Sequence, residues 1–232
     1  MRPSIYELYL FRRSKIERMD PKVRIRTDNF KLELPEEKTG GCSLLMVGST
    51  RSGKSTALKY VLDRYFKKNL GILFSNSIHA NAYKQMNYPL LAKSGIVIPE
   101  VVKAAYQINR QTKNLYPWLF IYDDTPLVRN DKELLKLLTI YRNSGISGIV
   151  CTQSPTLLNP TSRSNFNFVM LFHMNSSEQI ESAIKTWLRG YFPKSYTYED
   201  KIKFYKAATV DHHFILIDNL NGDIYRSKLD ID

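Results

Sequence analysis

The chain has 232 residues, 43% of them hydrophobic and 24% charged, which is the composition of a globular domain with a sizeable buried core. Its apolar runs, such as Val169–Phe172 and Phe214–Ile217, fall far short of the roughly 18 residues of a bilayer span, which excludes a predicted membrane helix. The formal net charge of +12 excludes an acidic surface and favours contact with polyanions, although solvated lysines alone would also account for it.

The first predicted elements are an N-terminal arm and a strand. Residues 1–23 are rich in charged and aromatic side chains, and we predict an arm or short helix that packs against something else. Charges such as Arg2 and Arg12 interrupt any apolar core, so no signal peptide is predicted. Alternating side chains over Arg24–Leu34 predict a strand that opens the main domain, residues 24–232.

From Cys42 onward, short apolar runs alternate with segments of helical spacing. The predicted strands are Cys42–Val47, Gly71–Phe74, Trp118–Tyr122, Gly148–Cys151 and Phe166–Phe172. The predicted helices are Lys54–Lys68, Pro99–Gln111, Lys132–Tyr141, Glu178–Trp187 and Glu199–Lys206. Ser77–Ala92 is predicted to be irregular or helical, and His213–Asp218 with Asp223–Leu229 to form a closing hairpin over Asn221-Gly222. This alternation predicts an α/β fold with a mainly parallel central sheet that is flanked by helices on both faces.

Cysteine and histidine do not form a predicted metal site. Cys42 and Cys151 lie in apolar, strand-like contexts, and we predict that both are buried free thiols of a reducing compartment. His212 and His213 are adjacent, so on a strand their side chains point to opposite faces and cannot share a metal.

The segment Gly48–Ser55 matches the phosphate-loop pattern G-x-x-x-x-G-K-[ST] and lies between a predicted strand and a predicted helix. Such a loop wraps backbone N–H groups around a β-phosphate, and the helix N-terminus adds partial positive charge. Lys54 then reaches the β- and γ-phosphates of ATP, and the Ser55 hydroxyl binds Mg²⁺. The predicted nucleotide-binding residues are Gly48, Ser49, Thr50, Arg51, Ser52, Gly53, Lys54, Ser55 and Thr56.

An acidic pair follows the predicted strand Trp118–Tyr122. Asp123 is in the position where a carboxylate holds Mg²⁺, and Asp124 is a second carboxylate that can orient or deprotonate the attacking water. Hydrolysis needs that second group, whereas phosphoryl transfer by a small-molecule kinase does not. The alternative is a solvated acidic turn before Pro126.

Gln153 follows the predicted strand Gly148–Cys151. P-loop ATPases with a second acid carry an additional strand between the two nucleotide-binding strands, and the tip of that strand bears a polar sensor of the γ-phosphate. Gln153 fits this role. The alternative is a turn or capping residue before Pro155.

Arg142 and Arg163 are candidates for an arginine that completes a neighbouring subunit's site. Arg142 lies just before the strand that leads to Gln153, and Arg163 lies between Pro160 and the next predicted strand. An arginine supplied to a γ-phosphate is worth about 10³–10⁵ in rate. On sequence alone, either residue could equally be an ordinary surface charge of a basic protein.

Together these segments resemble the poxvirus-type genome-packaging ATPases of the FtsK–HerA superfamily, which occur in large DNA viruses. The resemblance covers about Gly41 to about Phe172 and rests on V-G-S-T-R-S-G-K-S-T, L-F-I-Y-D-D, Y-R-N-S-G-I-S-G-I-V-C-T-Q-S and N-P-T-S-R-S-N-F. Two positions depart from the family: Arg51 replaces a small residue, and Asn143 replaces the histidine that often follows the arginine. Neither change removes a catalytic group.

The resemblance implies a P-loop NTPase domain of the RecA/FtsK–HerA type over residues 24–232, with ATP and Mg²⁺ as cofactors. It implies a homo-oligomeric ring, a pentamer or hexamer, that drives double-stranded DNA of any sequence into a preformed capsid at its portal vertex. In that family the arginine just before the fourth strand acts on the γ-phosphate of a neighbouring subunit, and the resemblance maps this arginine onto Arg142. A second, downstream arginine of the family maps onto Arg163. The resemblance also implies an intracellular site of virus assembly, in the cytoplasm or nucleus, or association with the virion.

Other functions share parts of this pattern. A cellular DNA pump or helicase of the same superfamily has the same core. A nucleoside or nucleotide kinase shares the phosphate loop but needs an acceptor pocket and usually an arginine-rich lid, which is not evident here. A non-hydrolysing, nucleotide-gated DNA-binding or capsid-bridging protein is disfavoured, because Lys54, Ser55, Asp123 and Asp124 are all present.

Overall fold

The computed structural model describes residues 25–32, 34, 40–77, 83, 88, 90–125 and 131–230. The predicted N-terminal arm, residues 1–23, lies outside this part of the chain. Among the helices that the structure describes, none is both long and apolar enough to cross a bilayer.

The strands form one nine-stranded sheet in the order β1-β9-β8-β7-β2-β6-β5-β3-β4. Their bounds are β1 Arg26–Thr27, β2 Ser43–Val47, β3 Leu70–Ser75, β4 Leu90–Ser94, β5 Trp118–Asp123, β6 Ile146–Thr152, β7 Phe168–Leu171, β8 His213–Asp218 and β9 Asp223–Lys228. All neighbouring pairs are parallel except β7–β8 and β8–β9, which are antiparallel. The predicted mainly parallel sheet and its C-terminal hairpin are therefore confirmed.

Helices cover both faces of this sheet. Their bounds are α1 Lys54–Tyr65, α2 Pro99–Gln111, α3 Lys132–Thr139, α4 Pro160–Ser164, α5 Ser177–Ala183 and α6 Tyr198–Ala208. Helix α1 buries Leu58 and Val61 against one face. Helices α2, α3, α5 and α6 pack on the other, where Leu137 and Ile180 belong to the second core cluster. Strands buried on both faces explain the continuous apolar runs of the sequence.

The position of β6 matters most for function. It lies between β2, which leads into the phosphate loop, and β5, which ends in Asp123. The strand predicted to be inserted between the two nucleotide-binding strands is thus confirmed. Because parallel strands end at one edge of the sheet, the loops after β2, β5 and β6 meet there.

The predicted strand over Arg24–Leu34 is wrong over most of its length. Of its described residues, Arg26 and Thr27 form a ladder, which is parallel with β9. Phe30 and Leu32 instead pack into the core beside α1, and the Leu32 amide donates to the Tyr65 hydroxyl at 3.3 Å. The alternation of apolar residues in this part of the sequence therefore comes from a segment that packs over the core without pairing as a strand.

The prediction for Ser77–Ala92 missed β4, whose first residues fall within it. Much of that segment lies outside the described residues, but Leu90–Ser94 pairs with β3 at the sheet edge. An edge strand needs no continuous apolar run, and Leu91 is 61% exposed.

Three predicted helices end early. Helix α1, which was predicted to continue to Lys68, ends at Tyr65. Helix α3 ends at Thr139, and a 3₁₀ turn over Tyr141–Ser144 closes on Gly145, whose φ of 72° favours glycine. Helix α5 ends at Ala183, and the chain then forms a π-helical turn over Ile184–Leu188.

Candidate active site

The predicted phosphate loop, Gly48–Ser55, joins the end of β2 to the start of α1. The Gly48 amide donates to the Thr152 carbonyl at 3.2 Å, and the Ser49 amide donates to the His173 carbonyl at 3.0 Å. These bonds anchor the loop to the ends of both neighbouring strands. Helix α1 begins without a side-chain cap and has no acidic residue in its first turn. Its first N–H groups therefore offer partners to an anion.

Backbone geometry explains the loop glycines. A Cβ on Gly48 would lie 2.6 Å from the Cβ of Phe172 and 2.8 Å from the Ser52 Oγ, so no side chain fits there. Gly53 has a φ of 96°, a conformation that other residues rarely adopt. Arg51, the residue that departs from the family pattern, is exposed and also left-handed, with a φ of 63°. Such strain is typical of ligand-binding loops.

The Lys54 side chain folds back over the phosphate loop. Its Nζ donates to the Gly48 carbonyl at 2.6 Å and to the Ser49 carbonyl at 2.8 Å. Burial lowers the pKa of Lys54, and the nearby groups Cys151, Asp123 and Asp124 oppose that shift. The ammonium is thus held between the loop and the two carboxylates.

Asp123 ends β5 as a buried carboxylate. The Tyr83 hydroxyl donates to its Oδ2, a contact that the sequence did not single out. Burial, followed by repulsion from Asp124, raises the pKa of Asp123 to about 6, although Lys54 and the Cys151 thiol oppose the shift. Buried, unpaired charge is costly, so this carboxyl suits a site that a cation completes.

Stability without nucleotide should depend on the ionisation of Asp123. Because the folded chain holds this proton more tightly than the unfolded chain, stability should fall as the pH rises from about 4 to about 6. Asp123→Asn should therefore be more stable than the parent by about 2–3 kcal/mol near neutrality, and the gain should shrink toward pH 4. Urea unfolding across this pH range tests it, and a gain that does not change with pH would contradict the assignment.

Gln153 connects the phosphate loop to the second acid. Its Nε2 donates to the Oδ1 and Oδ2 of Asp124 at 3.1 and 3.2 Å, while its Oε1 accepts a bond from the Thr50 hydroxyl at 3.0 Å. Asp124 itself is exposed and left-handed, with a φ of 51°. The structure thus brings together the loop, the second acid and the sensor residue that the sequence predicted.

Gln179, in the first turns of α5, was missed by the sequence reasoning. Its Nε2 donates to the Gln153 carbonyl at 3.2 Å, and its Oε1 lies 3.5 Å from the Ser49 hydroxyl. The Asn175 amide donates to that same hydroxyl at 3.0 Å. Gln179 therefore positions both the phosphate loop and the segment that follows β6. It lies close to both because β7, which precedes α5, is the neighbour of β2 in the sheet.

Arg142 lies at the opposite edge of the sheet from the phosphate loop. Its Nη1 donates to the Asn165 carbonyl at 3.1 Å and to the Asn167 Oδ1 at 3.2 Å, and lies 3.5 Å from the Ser43 Oγ. Ser43 begins β2 and Gly48 follows its end, so the length of the strand, about 16 Å, separates Arg142 from the loop. Arg142 cannot reach the γ-phosphate of its own subunit.

Arg163 lies in α4, close to the sensor residue. Its Nη1 donates to the Thr186 Oγ1 at 3.2 Å and lies 3.5 Å from the Pro155 carbonyl, two residues after Gln153. These contacts hold the segment after β6 against the turn that follows α5.

The oxygen groups of the site fit Mg²⁺. Ser55 would offer its hydroxyl and Asp123 its buried carboxylate, and the ion would neutralise charge on the phosphate oxygens. No cluster of three or more His, Cys, Asp or Glu side chains among the described residues could hold a metal. Mg²⁺ binds through few carboxylates together with substrate phosphates and water, so a single carboxylate and a hydroxyl are enough protein groups for it.

No protein-family model and no curated protein sequence matches the chain. Solved structures do match. The DNA-packaging ATPase B204 of Sulfolobus turreted icosahedral virus is 17% identical, with a TM-score of 0.58 over 83% of this chain and 100% of that chain. B204 of Sulfolobus turreted icosahedral virus 2, a genome-packaging NTPase solved with ATPγS, is 16% identical, with a TM-score of 0.56 over 82% of this chain and 98% of that chain.

Proteins outside viruses share the fold as well. EssC (ATPases 2 and 3) from Geobacillus thermodenitrificans is 12% identical, with a TM-score of 0.60 over 91% of this chain and 48% of that chain. These likenesses show a common fold. The chain thus has the α/β fold that these ATPases share, together with a phosphate loop, and the predicted resemblance is confirmed at the level of the fold.

Proposed function

We propose that this chain hydrolyses ATP to move double-stranded DNA, as one subunit of a ring that packages a viral genome into a preformed capsid. The observation that carries the proposal is the contact of Gln153 with both Asp124 and Thr50, beside a phosphate loop that fits ATP. This arrangement holds a carboxylate where a water can attack the γ-phosphate.

Each group has a distinct part in the proposed hydrolysis. Lys54 balances the negative charge of the β- and γ-phosphates, and Ser55 and Asp123 would hold Mg²⁺. Asp124 accepts the proton of the attacking water. Gln153, which already bridges Thr50 and Asp124, registers whether a γ-phosphate is present.

The proposed role of Arg142 requires a ring. This residue is too far from its own phosphate loop, so it can serve a γ-phosphate only in a neighbouring subunit. Arg163 is the second candidate, although its contacts with Pro155 and Thr186 fit a supporting role in its own subunit.

We propose that the polymer moved by the ring is double-stranded DNA. The net charge of +12 favours contact with phosphates without reading bases. The solved structure of B204 is described as a DNA-packaging ATPase, and B204 matches this chain over its whole length. That likeness is our reason for including packaging at a capsid vertex and an intracellular site of virus assembly in the proposal. A cellular DNA pump of the same fold is the alternative.

DNA should both bind and stimulate the enzyme. We expect binding that is insensitive to sequence and that weakens steeply with salt, because several Lys and Arg contacts release counterions. ATP turnover should rise when duplex DNA is added to the assembled species, whose mass gives the ring size. Affinity that does not change with salt, or a strong preference for one sequence, would count against DNA movement.

A further inference from the structure

A cavity of about 580 Å³ opens beside the first turn of α1. One wall is the end of the phosphate loop and the start of the helix. The opposite wall consists of the residue after β7, a residue of the turn before β8, and the last residue of β9 with the one that follows it: Phe172, His212, Lys228 and Leu229. Its volume is that of a pocket for a small organic ligand.

The chemistry of the phosphate loop fixes which part of a nucleotide lies in this cavity. Asp124 and Gln153 mark the γ-phosphate end of the site, and neither lines the cavity. Lys54, Ser55 and Thr56, at the start of α1, do line it. Because Lys54 serves the β- and γ-phosphates, the phosphate chain meets the cavity at this wall, and the nucleoside extends from there toward the opposite wall.

His212 reaches this cavity from a strained turn. The His213 amide donates to the Val210 carbonyl at 3.0 Å and closes a turn whose central residues, Asp211 and His212, have φ angles of 54° and 63°. Two consecutive left-handed residues form a turn in which Asn and Gly are strongly preferred. Strain at such positions is concentrated in ligand-binding sites.

A second cavity, about 720 Å³ in volume, lies beyond the first. Arg51, Ser52 and His212 line both cavities, so they form the boundary between them. Thr50 and Asp211 line the second cavity but not the first. Most of its other lining residues, such as His173 and Thr209, follow β7 or precede β8, on the side of β2 away from β5 and β6.

We propose that the base and ribose of the bound nucleotide occupy the 580 Å³ cavity, with the His212 ring and the Leu229 side chain against the base. This inference rests on the nucleotide binding proposed above. The described lining residues include no carboxylate or carboxamide that could read the edge of a base. The site therefore takes nucleoside triphosphates with little selectivity among bases.

Comparing ATP with inorganic tripolyphosphate separates the nucleoside from the phosphates. We expect the parent to bind ATP more tightly than tripolyphosphate in a calorimetric titration with Mg²⁺. His212→Asn keeps a residue that tolerates the left-handed turn but removes the ring. It should weaken ATP binding about tenfold and leave tripolyphosphate binding unchanged, since stacking on a ring contributes on this scale. Leu229→Ala should act in the same direction.

Asp211→Asn is the matched control, because Asp211 lies in the same turn but lines the other cavity. It should leave ATP affinity unchanged. Equal losses for ATP and tripolyphosphate in His212→Asn, or no loss for either, would overturn the proposal, and so would loss of ATP binding in Asp211→Asn alone. GTP, CTP and UTP should bind within about fivefold of ATP, because stacking on the His212 ring does not depend on the identity of the base, and a hundredfold preference for one base would contradict the inferred recognition. A folded parent that binds neither ATP nor tripolyphosphate would refute the proposed function itself.

Discussion

Asp124→Asn is expected to lower ATP turnover by about 10²–10⁴-fold while leaving the affinity for Mg–ATP near that of the parent. The substitution keeps the shape of the side chain and removes its ability to accept a proton from water. Asparagine also tolerates the left-handed backbone at this position, where φ is 51°, so the loop should not rearrange. Gln153 retains an oxygen to which it can donate.

Single-turnover hydrolysis and titration with ATP measure the two effects separately. Lys54→Ala is the contrasting variant. It removes the positive charge that balances the β- and γ-phosphates, so it should abolish both ATP binding and turnover. A parental rate in Asp124→Asn would show that another group activates the water. In that case Asp124 no longer distinguishes a hydrolase from a kinase, and a kinase becomes a stronger interpretation of the site.

Arg142→Ala is expected to lower turnover by about 10³-fold without abolishing nucleotide binding, because an arginine supplied in trans is worth about 10³–10⁵ in rate. Isolated subunits should hydrolyse ATP poorly, and specific activity should rise with protein concentration. Since Arg142 also bonds to Asn165 and Asn167, thermal unfolding of the variant must match the parent before its rate is interpreted. Arg163→Ala is the comparison variant, because its bonds stay within its own subunit, and a larger loss of turnover there than in Arg142→Ala would make Arg163 the arginine supplied in trans.

Mixing Arg142→Ala with Asp124→Asn subunits makes the test decisive. A mixed ring contains some sites in which an intact Asp124 faces an intact Arg142, so two inactive proteins should together recover part of the activity. Mixed rings that form and remain inactive would mean that Arg142 has a structural role alone. Arg163 would then be the next candidate for the same experiment.

The sequence predicts well those parts of the site that follow directly from strand ends. Gly48–Ser55, the pair Asp123–Asp124 and Gln153 each come after a continuous apolar run, and such runs identify buried parallel strands with little ambiguity. Parallel strands then bring their carboxyl ends to one edge. The meeting of Gln153 with Asp124 and Thr50 therefore agrees with what the spacing indicates.

Other parts of the site depend on the order of strands, which spacing alone does not give. Gln179 contacts Gln153 because β7 lies on the other side of β2 from β6. His212 reaches the phosphate loop because the C-terminal hairpin extends the same sheet beyond β7. Tyr83 contacts Asp123 from a segment with no clear periodicity. Each contact joins residues far apart in the chain, so local patterns contain no signal for them.

Movement along the duplex tests the central claim most directly. A short third strand bound to one end of a linear duplex reports the passage of a translocating ring, because the ring displaces it. We expect the assembled parent to release the third strand in the presence of Mg–ATP, whatever the duplex sequence, and the Asp124→Asn ring to bind the duplex without releasing it. A parent ring that binds the duplex and hydrolyses ATP, yet leaves the third strand in place, would contradict the proposal that this chain moves DNA.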